Sequence, residues 1–590
     1  MDKLIVKVGL GSCGIAAGAQ KVYNRLDTYL KENPGRFILE KTNCIGMCYA
    51  EPLVHIENKK NNLIYGRVSE LKLEEIIQNH FEKGHIVEDA VVYSDKHEAP
   101  ENQYIQSQVK WAMRNCGIIN PEIIDEYEAR GGYQAILKVK NWTSDQIINE
   151  ILKSGLRGRG GGGFPTGIKW QLAAKQVNDT KYVVCNADEG DPGAFMDRSI
   201  LEGDPHGVIE GIIIAGKAIG ATHGVIYCRA EYPLAIKRLK LAIEQAKAKN
   251  YLGTNIFGIE GFDFDLYIKE GAGAFVCGEE TALLASIEGK RGMPNKRPPF
   301  PAEKGLWGFP TNINNVETYV NVPAIILAGA EKYAAFGTEK AKGTKVFAVT
   351  GKIAKSGLVE VPMGTPISTV IYDICGGGAN GKQIKAVQLG GPSGGCIPSH
   401  LLDTIIDYDA IIATGAIMGS GGMVVMDETT CMVDVAKFFL TFTQSESCGK
   451  CTFCRVGTLR MLEILDRITK GQGVIEDLDL LEDLAIEIKN NSLCGLGQSA
   501  PNPVLSTLKY FREEYEAHII QKRCPALQCT ELIHYEVIAD KCIGCTLCKR
   551  ACPTHAIDGE VKKIHFIRQE DCIRCGACFT KCKSDAILRY

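Results

Sequence analysis

The tail of the chain constrains its fold more tightly than any other stretch. "CIGCTLCKRACP" places Cys542, Cys545, Cys548 and Cys552, and "CIRCGACFTKC" repeats the spacing with Cys572, Cys575, Cys578 and Cys582. Two C-x2-C-x2-C-x3-C runs are the bacterial two-cluster ferredoxin pattern. Tight loops aim three thiolates at one iron–sulfur cube, and the fourth cysteine of each run reaches the other cube. One 4Fe–4S cluster is expected on Cys542, Cys545, Cys548 and Cys582, and a second on Cys572, Cys575, Cys578 and Cys552. A zinc ribbon needs four ligands per site and no interlocked runs, so clusters are expected rather than zinc.

The chain carries 24 cysteines in 590 residues, which in a long non-secreted protein points to metal or redox chemistry. "SCGKCTFC" supplies Cys448, Cys451 and Cys454, and Cys494 in "NNSLCGLG" follows two amphipathic helices. A hairpin there returns Cys494 as the fourth ligand of a third 4Fe–4S cluster. Cys13, Cys44 and Cys48 are three thiols, one short of a cluster, so a 2Fe–2S site and packed thiols both stay open. "RCPALQC" adds Cys524 and Cys529, with His518, His534 and His555 nearby. A Cys/His zinc knot through His518 and two packed thiols beside solvent-facing histidines are both open. Cys116, Cys185, Cys228, Cys277, Cys375, Cys396 and Cys431 stand alone and are expected to pack in apolar surroundings.

A net charge of −3 gives no electrostatic case for nucleic acid. "MDKLIVKVGLGSCG" lacks a charged n-region followed by an apolar run, so no signal peptide is expected. No stretch reaches eighteen uninterrupted apolar residues; "IEGIIIAGKAIGA" (209–221) comes nearest. A cytoplasmic protein with no membrane span is the expectation.

Residues 1–85 read as a small α/β unit, and 86–140 as a polar linker with short helices. "SDQIINEILKSG" predicts a helix capped by Ser144 and ended by Gly155. Strands and helices then alternate, predicting a doubly wound α/β domain over 141–343. A β-rich module follows over 344–425, a helical domain over 426–520, a bridge over 521–537 and the ferredoxin domain over 538–590.

"LRGRGGGGFPTGIKW" (156–170) satisfies G-x-G-x-x-G through Gly158, Gly160 and Gly163. A dinucleotide fingerprint needs a strand before the glycines, whereas here a helix precedes them, and no G-K-[ST] makes a P-loop. A glycine coil flanked by Arg157, Arg159 and Lys169 can still cradle an anion on bare backbone N–H groups. Three more loops follow strands and are dense in polar groups. They are "CNADEGDPGAF" with Asn186, Asp188 and Glu189, "GAGAFVCGEETALL" with Glu279 and Glu280, and "NINNVET" with Asn314, Asn315 and Thr318. Ligands sit at such strand ends in open α/β sheets.

These loops, with "LWGFPTNINNVET" and "ESCGKCTFCR…SLCGLG", resemble the NADH-binding flavoprotein subunit of complex I and its soluble relatives over roughly 150–515. With the flanking cysteine domains, the layout resembles the beta subunit of NAD-dependent, electron-bifurcating iron-only hydrogenases. The resemblance implies a thioredoxin-like ferredoxin domain, an FMN/NADH-binding α/β domain, a β-grasp module, a helical iron–sulfur domain and a two-cluster ferredoxin. It implies FMN lined by Gly158, Arg159, Gly160, Lys169, Asn186, Asp188, Glu189, Gly278, Glu279, Asn314, Asn315 and Thr318. Phe164, Glu280 and Phe300 would meet NAD(H), and hydride transfer would occur at the flavin with no catalytic side chain.

Two positions depart from the family pattern. The N-terminal pattern is C-x4-C then C-x3-C, and the first cysteine falls on or near Val8. "NKRPPFP" has Arg297 where complex I relatives usually carry lysine, which bears on NAD against NADP. Hydrogen-activating cysteine motifs are missing, so the implied partners are a catalytic iron-only hydrogenase subunit, a small thioredoxin-like 2Fe–2S subunit and ferredoxin. The alternative is a diaphorase subunit of a formate dehydrogenase, an NADP-reducing hydrogenase or a respiratory complex.

Overall fold

The computed structural model describes residues 4–590 apart from 59, 60 and 97, and the chain divides into two compact units, Met1–Val425 and Met426–Tyr590.

The first unit holds three sheets. The N-terminal one has strands Ile38–Thr42, Ile5–Gly9, Val54–Asn58, Asn61–Tyr65 and Val91–Ser94, in that spatial order. Helix Ala19–Glu32 turns Val22, Leu26 and Tyr29 inward against Val6 and Val8 of strand Ile5–Gly9, the i, i+4, i+7 stripe its sequence carries. Strand Val91–Ser94 comes from the segment expected as a linker. The rest of that segment is also packed. Ala112, Met113, Tyr127 and Tyr133 enter the core of the following domain, and the N–H groups of Trp111, Ala112 and Met113 donate to the buried Glu360 carboxylate at 2.8–2.9 Å. Polar composition hid this because the backbone, rather than the side chains, makes those bonds.

The second sheet is entirely parallel, ordered Asp265–Gly271, His223–Arg229, Tyr182–Ala187, Thr311–Asn315. Helices Pro205–Ile219 and Val316–Ala328 are buried almost all round. The apolar stretch 209–221 is thus a core helix, and no helix among the described residues is long and apolar enough to cross a membrane. Helix Ser144–Ser154 precedes the glycine loop as expected, but its cap is Thr143. The Thr143 side chain accepts from Gln146 N, and the Gln146 side chain accepts from Thr143 N, a reciprocal box that makes Ser144 the first helical residue. The third sheet is mixed, ordered Gly357–Pro362, Thr344–Gly351, Gly422–Asp427, Ile384–Leu389, Gly395–Pro398.

In the second unit, helices Met432–Ser445, Thr458–Thr469, Glu476–Asn491 and Asn502–Ile519 close around Leu440, Met461, Leu465, Leu481 and Leu508. Its C-terminal region is built from two short ribbons. Tyr535–Val537 pairs with Ile587–Arg589, and Ile557–Asp558 pairs with Phe566–Ile567, so the first strand of the tail is locked to the last.

Candidate flavin and metal sites

The glycine loop closes on itself. Gly158 N donates to Phe164 O and Thr166 N to Leu156 O, both at 2.9 Å, and helix Thr166–Ala174 starts directly after it. Gly161 (φ 120°) and Gly163 (φ 61°) occupy left-handed backbone, and a Cβ at Gly163 would stand 2.6 Å from the Tyr408 ring. Around Gly162 no atom lies within 4 Å of a would-be Cβ, leaving that stretch of backbone open.

Arg159 holds the loop from behind. Its guanidinium is 0 % exposed and donates to Thr344 O at 3.0 Å, Tyr333 OH at 3.1 Å and Lys342 O at 2.6 Å. The guanidinium is thus taken up in holding the loop, which narrows the role expected from the sequence. Thr318 Oγ1 accepts from Arg159 N at 2.9 Å, and Tyr408 OH donates to Gly158 O at 2.9 Å.

The other expected residues divide between scaffold and cleft. Asn314 Oδ1 accepts from Trp170 Nε1 and Asn312 Nδ2, both at 2.9 Å. Glu189 accepts from the N–H groups of Asp197 and Arg198 at 3.0 Å, and burial pushes its carboxyl up. Glu279 caps helix Glu280–Ile287 through Thr281 N and Ala282 N. Asn186 Nδ2 donates to Gly278 O at 2.9 Å, tying two of the loops together, and Asp188 is buried beside them. Lys169 pairs with Glu280. Phe164 and Phe300 are 50 % and 51 % exposed, and Arg297 lies 3.8 Å from Glu280 and 6.0 Å from the Phe300 ring.

Asp197 was not expected from sequence. Its Oδ2 accepts from Asn315 Nδ2 at 2.5 Å, its buried Oδ1 has no partner, and burial next to Glu189 pushes its carboxyl well up. Nothing in "AFMDRS" marks it, because it meets Asn315 only through the sheet. Open glycine N–H groups, a buried orphan oxygen and two half-exposed rings fit a phosphorylated ring cofactor such as FMN.

In the tail, one cavity is lined by Cys542, Cys545, Cys548 and Cys582, and a second by Cys552, Cys572, Cys575 and Cys578. These are the crossed sets expected from the spacing. Leu493 N lies 3.4 Å from Cys451 Sγ, which brings Cys494 next to the Cys448–Cys454 run, and burial with Cys494, Cys451 and Cys448 nearby pushes the Cys454 thiol up. Four donors per pocket fit iron–sulfur cubes.

At the bridge, Cys524, Cys529 and His518 come together with Cys431, their ligand atoms all within 4.8 Å of one another. Cys431 was expected to pack alone, and the structure corrects this. His518 lies 87 residues from it, so no local spacing marks the pair. Cys431 Sγ is 3.8 Å from Cys529 Sγ, and His518 Nε2 is 3.4 and 3.3 Å from those two sulfurs. A tetrahedron of ~2.3 Å metal–sulfur and ~2.0 Å metal–nitrogen bonds has edges of about 3.5–3.8 Å, so the set fits zinc. His518 Nδ1 is 2.6 Å from Glu514 O, which fixes the tautomer that leaves Nε2 free to ligate. His534 and His555 are elsewhere: His534 stacks on Tyr590, and the His555 carbonyl accepts from Arg568.

At the N-terminus Cys44 Sγ is 3.7 Å from Cys48 Sγ, and both thiols act on Cys13, which is lowered to about 3. Val8 is fully buried in the apolar core, so no fourth thiol stands there.

Residues 151–324 match the Nuo51 FMN-binding domain, 434–518 the NADH-ubiquinone oxidoreductase-F iron–sulfur binding region, 541–587 a 4Fe–4S dicluster domain and 1–80 a thioredoxin-like [2Fe–2S] ferredoxin. The F-type chain of the NADH-quinone oxidoreductase of Aquifex aeolicus is 46% identical over 415 residues, covering 70% of this chain and 96% of its own length. The chain belongs to the Nuo51 FMN-binding family. Within the family it is 58% identical over 484 residues to the NADP-reducing hydrogenase subunit HndC of Solidesulfovibrio fructosivorans, covering 82% of this chain and 98% of HndC. A crystal structure of NAD+-reducing [NiFe]-hydrogenase in the H2-reduced state aligns with TM-score 0.61 and 31% identity, over 88% of this chain and 84% of that one. The thioredoxin-like, FMN-binding and 4Fe–4S domains expected of a Nuo51-type chain are all present.

Proposed function

We propose that this Nuo51-type chain is the NAD(P)H-linked diaphorase subunit of a hydrogenase complex, carrying FMN, three 4Fe–4S clusters, one 2Fe–2S cluster and a structural zinc. A combination within a single chain carries the reading. A rigid, open glycine loop with half-exposed Phe164 and Phe300 lies upstream of three cysteine quartets. Nicotinamides exchange electrons in pairs and iron–sulfur clusters singly, and bound FMN supplies the conversion between them.

The chain's own residues bind and orient. The Gly160–Gly163 N–H groups receive the phosphate, Asn186, Asn315 and Asp197 face the ring system, and Phe164 and Phe300 stack the nicotinamide nucleotide. Likeness to HndC favours NADP(H), and Arg297, held only loosely by Glu279 and Glu280 at 3.8–3.9 Å, supplies a cation for a 2′-phosphate. The implied partner is a catalytic hydrogenase chain. Coupling to ferredoxin by electron bifurcation is the narrower form of this proposal.

Anaerobic purification with flavin, iron and zinc analysis, followed by NADPH- and NADH-driven viologen reduction, tests it. Stoichiometric FMN with pyridine-nucleotide-dependent reduction is expected, together with a co-purifying hydrogenase chain. Absence of both FMN and viologen reduction would overturn the reading, and a molybdenum-enzyme partner would move it to formate dehydrogenase. For bifurcation, hydrogen oxidation by the complex should require ferredoxin and NAD(P)+ together.

A further inference from the structure

The N-terminal domain lacks one of the four thiols its family uses, and a buried carboxylate lies against Gly9, next to the position where that thiol falls. Glu51 lies three residues past Cys48 and is 9 % exposed. Its Oε2 accepts from Leu53 N at 3.0 Å, while its Oε1 is buried with no hydrogen-bond partner. No cation among the described residues pairs with it, and the Cys44 and Cys13 thiols are near enough to act on its charge. Two glycines make room for the carboxylate. A Cβ at Gly9 would stand 3.5 Å from both of its oxygens, and one at Gly14, adjacent to Cys13, 3.1 Å from Oε2.

Buried carboxylates are paired with cations or coordinate metals, because an isolated one costs several kcal/mol. We infer that Glu51 is the fourth protein ligand of the N-terminal 2Fe–2S cluster, completing a Cys13, Cys44, Cys48 and Glu51 donor set. The 3.7 Å between Cys44 and Cys48 is the edge of a tetrahedron with ~2.3 Å metal–sulfur bonds, so those two share one iron. Cys13 and Glu51 hold the other. Each iron then has two protein ligands and two bridging sulfides. Non-cysteine ligation of one iron has a precedent in the two histidines of Rieske centres. A carboxylate differs from histidine in replacing one anionic donor by another, so the net charge of the site is unchanged. Oxygen is also a harder donor than sulfur, which distinguishes that iron spectroscopically.

The inference rests on the family's cluster in this domain and not on the hydrogenase reading, whose failure would appear separately in FMN content and viologen reduction. The test is iron counting, 57Fe Mössbauer and EPR of the full-length chain, recorded where four-iron signals have broadened away. Expected for the unmodified protein is a reduced two-iron signal with one iron in mixed sulfur and oxygen coordination. Glu51→Ala should lose two irons per chain and that signal while FMN, zinc and the four-iron signals stay. Glu51→Cys should keep both irons but shift to the spectrum of an all-cysteine site, which separates loss of a ligand from loss of the fold. An unmodified chain without a two-iron cluster, a Glu51→Ala chain with both irons and unchanged g values, or a Glu51→Cys chain with an unchanged spectrum would each overturn the assignment.

Discussion

The bridge site and the N-terminal site each bring together three cysteines and one other donor, and the donors differ in kind. At the bridge, imidazole joins Cys431, Cys524 and Cys529 within 4.8 Å, a set sized for one ion. At the N-terminus, the buried Glu51 carboxylate lies against Gly9 and Gly14, within electrostatic reach of Cys13, Cys44 and Cys48. Imidazole is neutral and needs a second hydrogen bond to select its ligating nitrogen, which Glu514 O provides. Carboxylate is anionic and needs only space, which Gly9 and Gly14 provide. The local surroundings thus tell the two donor types apart even where the cysteine count does not.

The strongest way to break this contrast is His518→Ala. It should remove zinc and destabilise the 426–537 region by at least about 3 kcal/mol, read by metal analysis and thermal melting, because metal affinity is folding free energy there. A next change makes the two sites alike. Glu51→His puts a neutral donor at the N-terminus and should raise the two-iron midpoint potential above that of Glu51→Cys by about 100 mV or more, measured by EPR-monitored titration.

A half-buried carboxyl away from any thiol sharpens the comparison. Burial pushes Asp191 up to about 6 from its ordinary 3.8, with Ser420 Oγ donating to it at 2.8 Å. Between those values the folded state binds more protons than the unfolded one, so this contribution is full below pH 3.8 and lost as pH rises to about 6. Asp191→Asn should flatten that stretch of the stability–pH curve by about 1–2 kcal/mol, with iron and zinc contents unchanged. The smallest effect is expected at Arg198, whose Nη2 lies 3.9 Å from Cys13 Sγ. Arg198→Met withdraws a positive charge and should lower the two-iron potential by a few tens of millivolts, the one-electron equivalent of about 1 kcal/mol. An unchanged potential would place that guanidinium outside the cluster's field.

The ferredoxin tail was legible because its ligands are bound by local spacing, and Cys494 because two helices of similar length must return it to Cys448. Cys431 was not, since a side chain 87 residues from His518 leaves no periodic trace. Glu51 left a fainter mark, an acid shortly after a C-x3-C pair whose upstream cysteine is missing. Arg159 misled in the opposite direction. An arginine among glycines reads as an anion ligand, yet the backbone carbonyls of Lys342 and Thr344 receive it. The packing of 86–140 leaves no trace in its own sequence for a related reason, since Glu360 collects its backbone N–H groups from far along the chain.

The bridge site has a topological consequence. Cys431 and Cys529 are 98 positions apart, and the helical bundle lies between them. An ion bound to both turns that stretch into a ring, removing from the unfolded chain the loop-closure entropy that a cross-link of about 100 residues is assigned, about 4–5 kcal/mol. The ferredoxin tail leaves this ring only a few residues after Cys529. With an ion bound there, a pull on the tail would first meet Leu532, which packs in the bundle core, and behind it the metal–sulfur bonds that keep the ring closed.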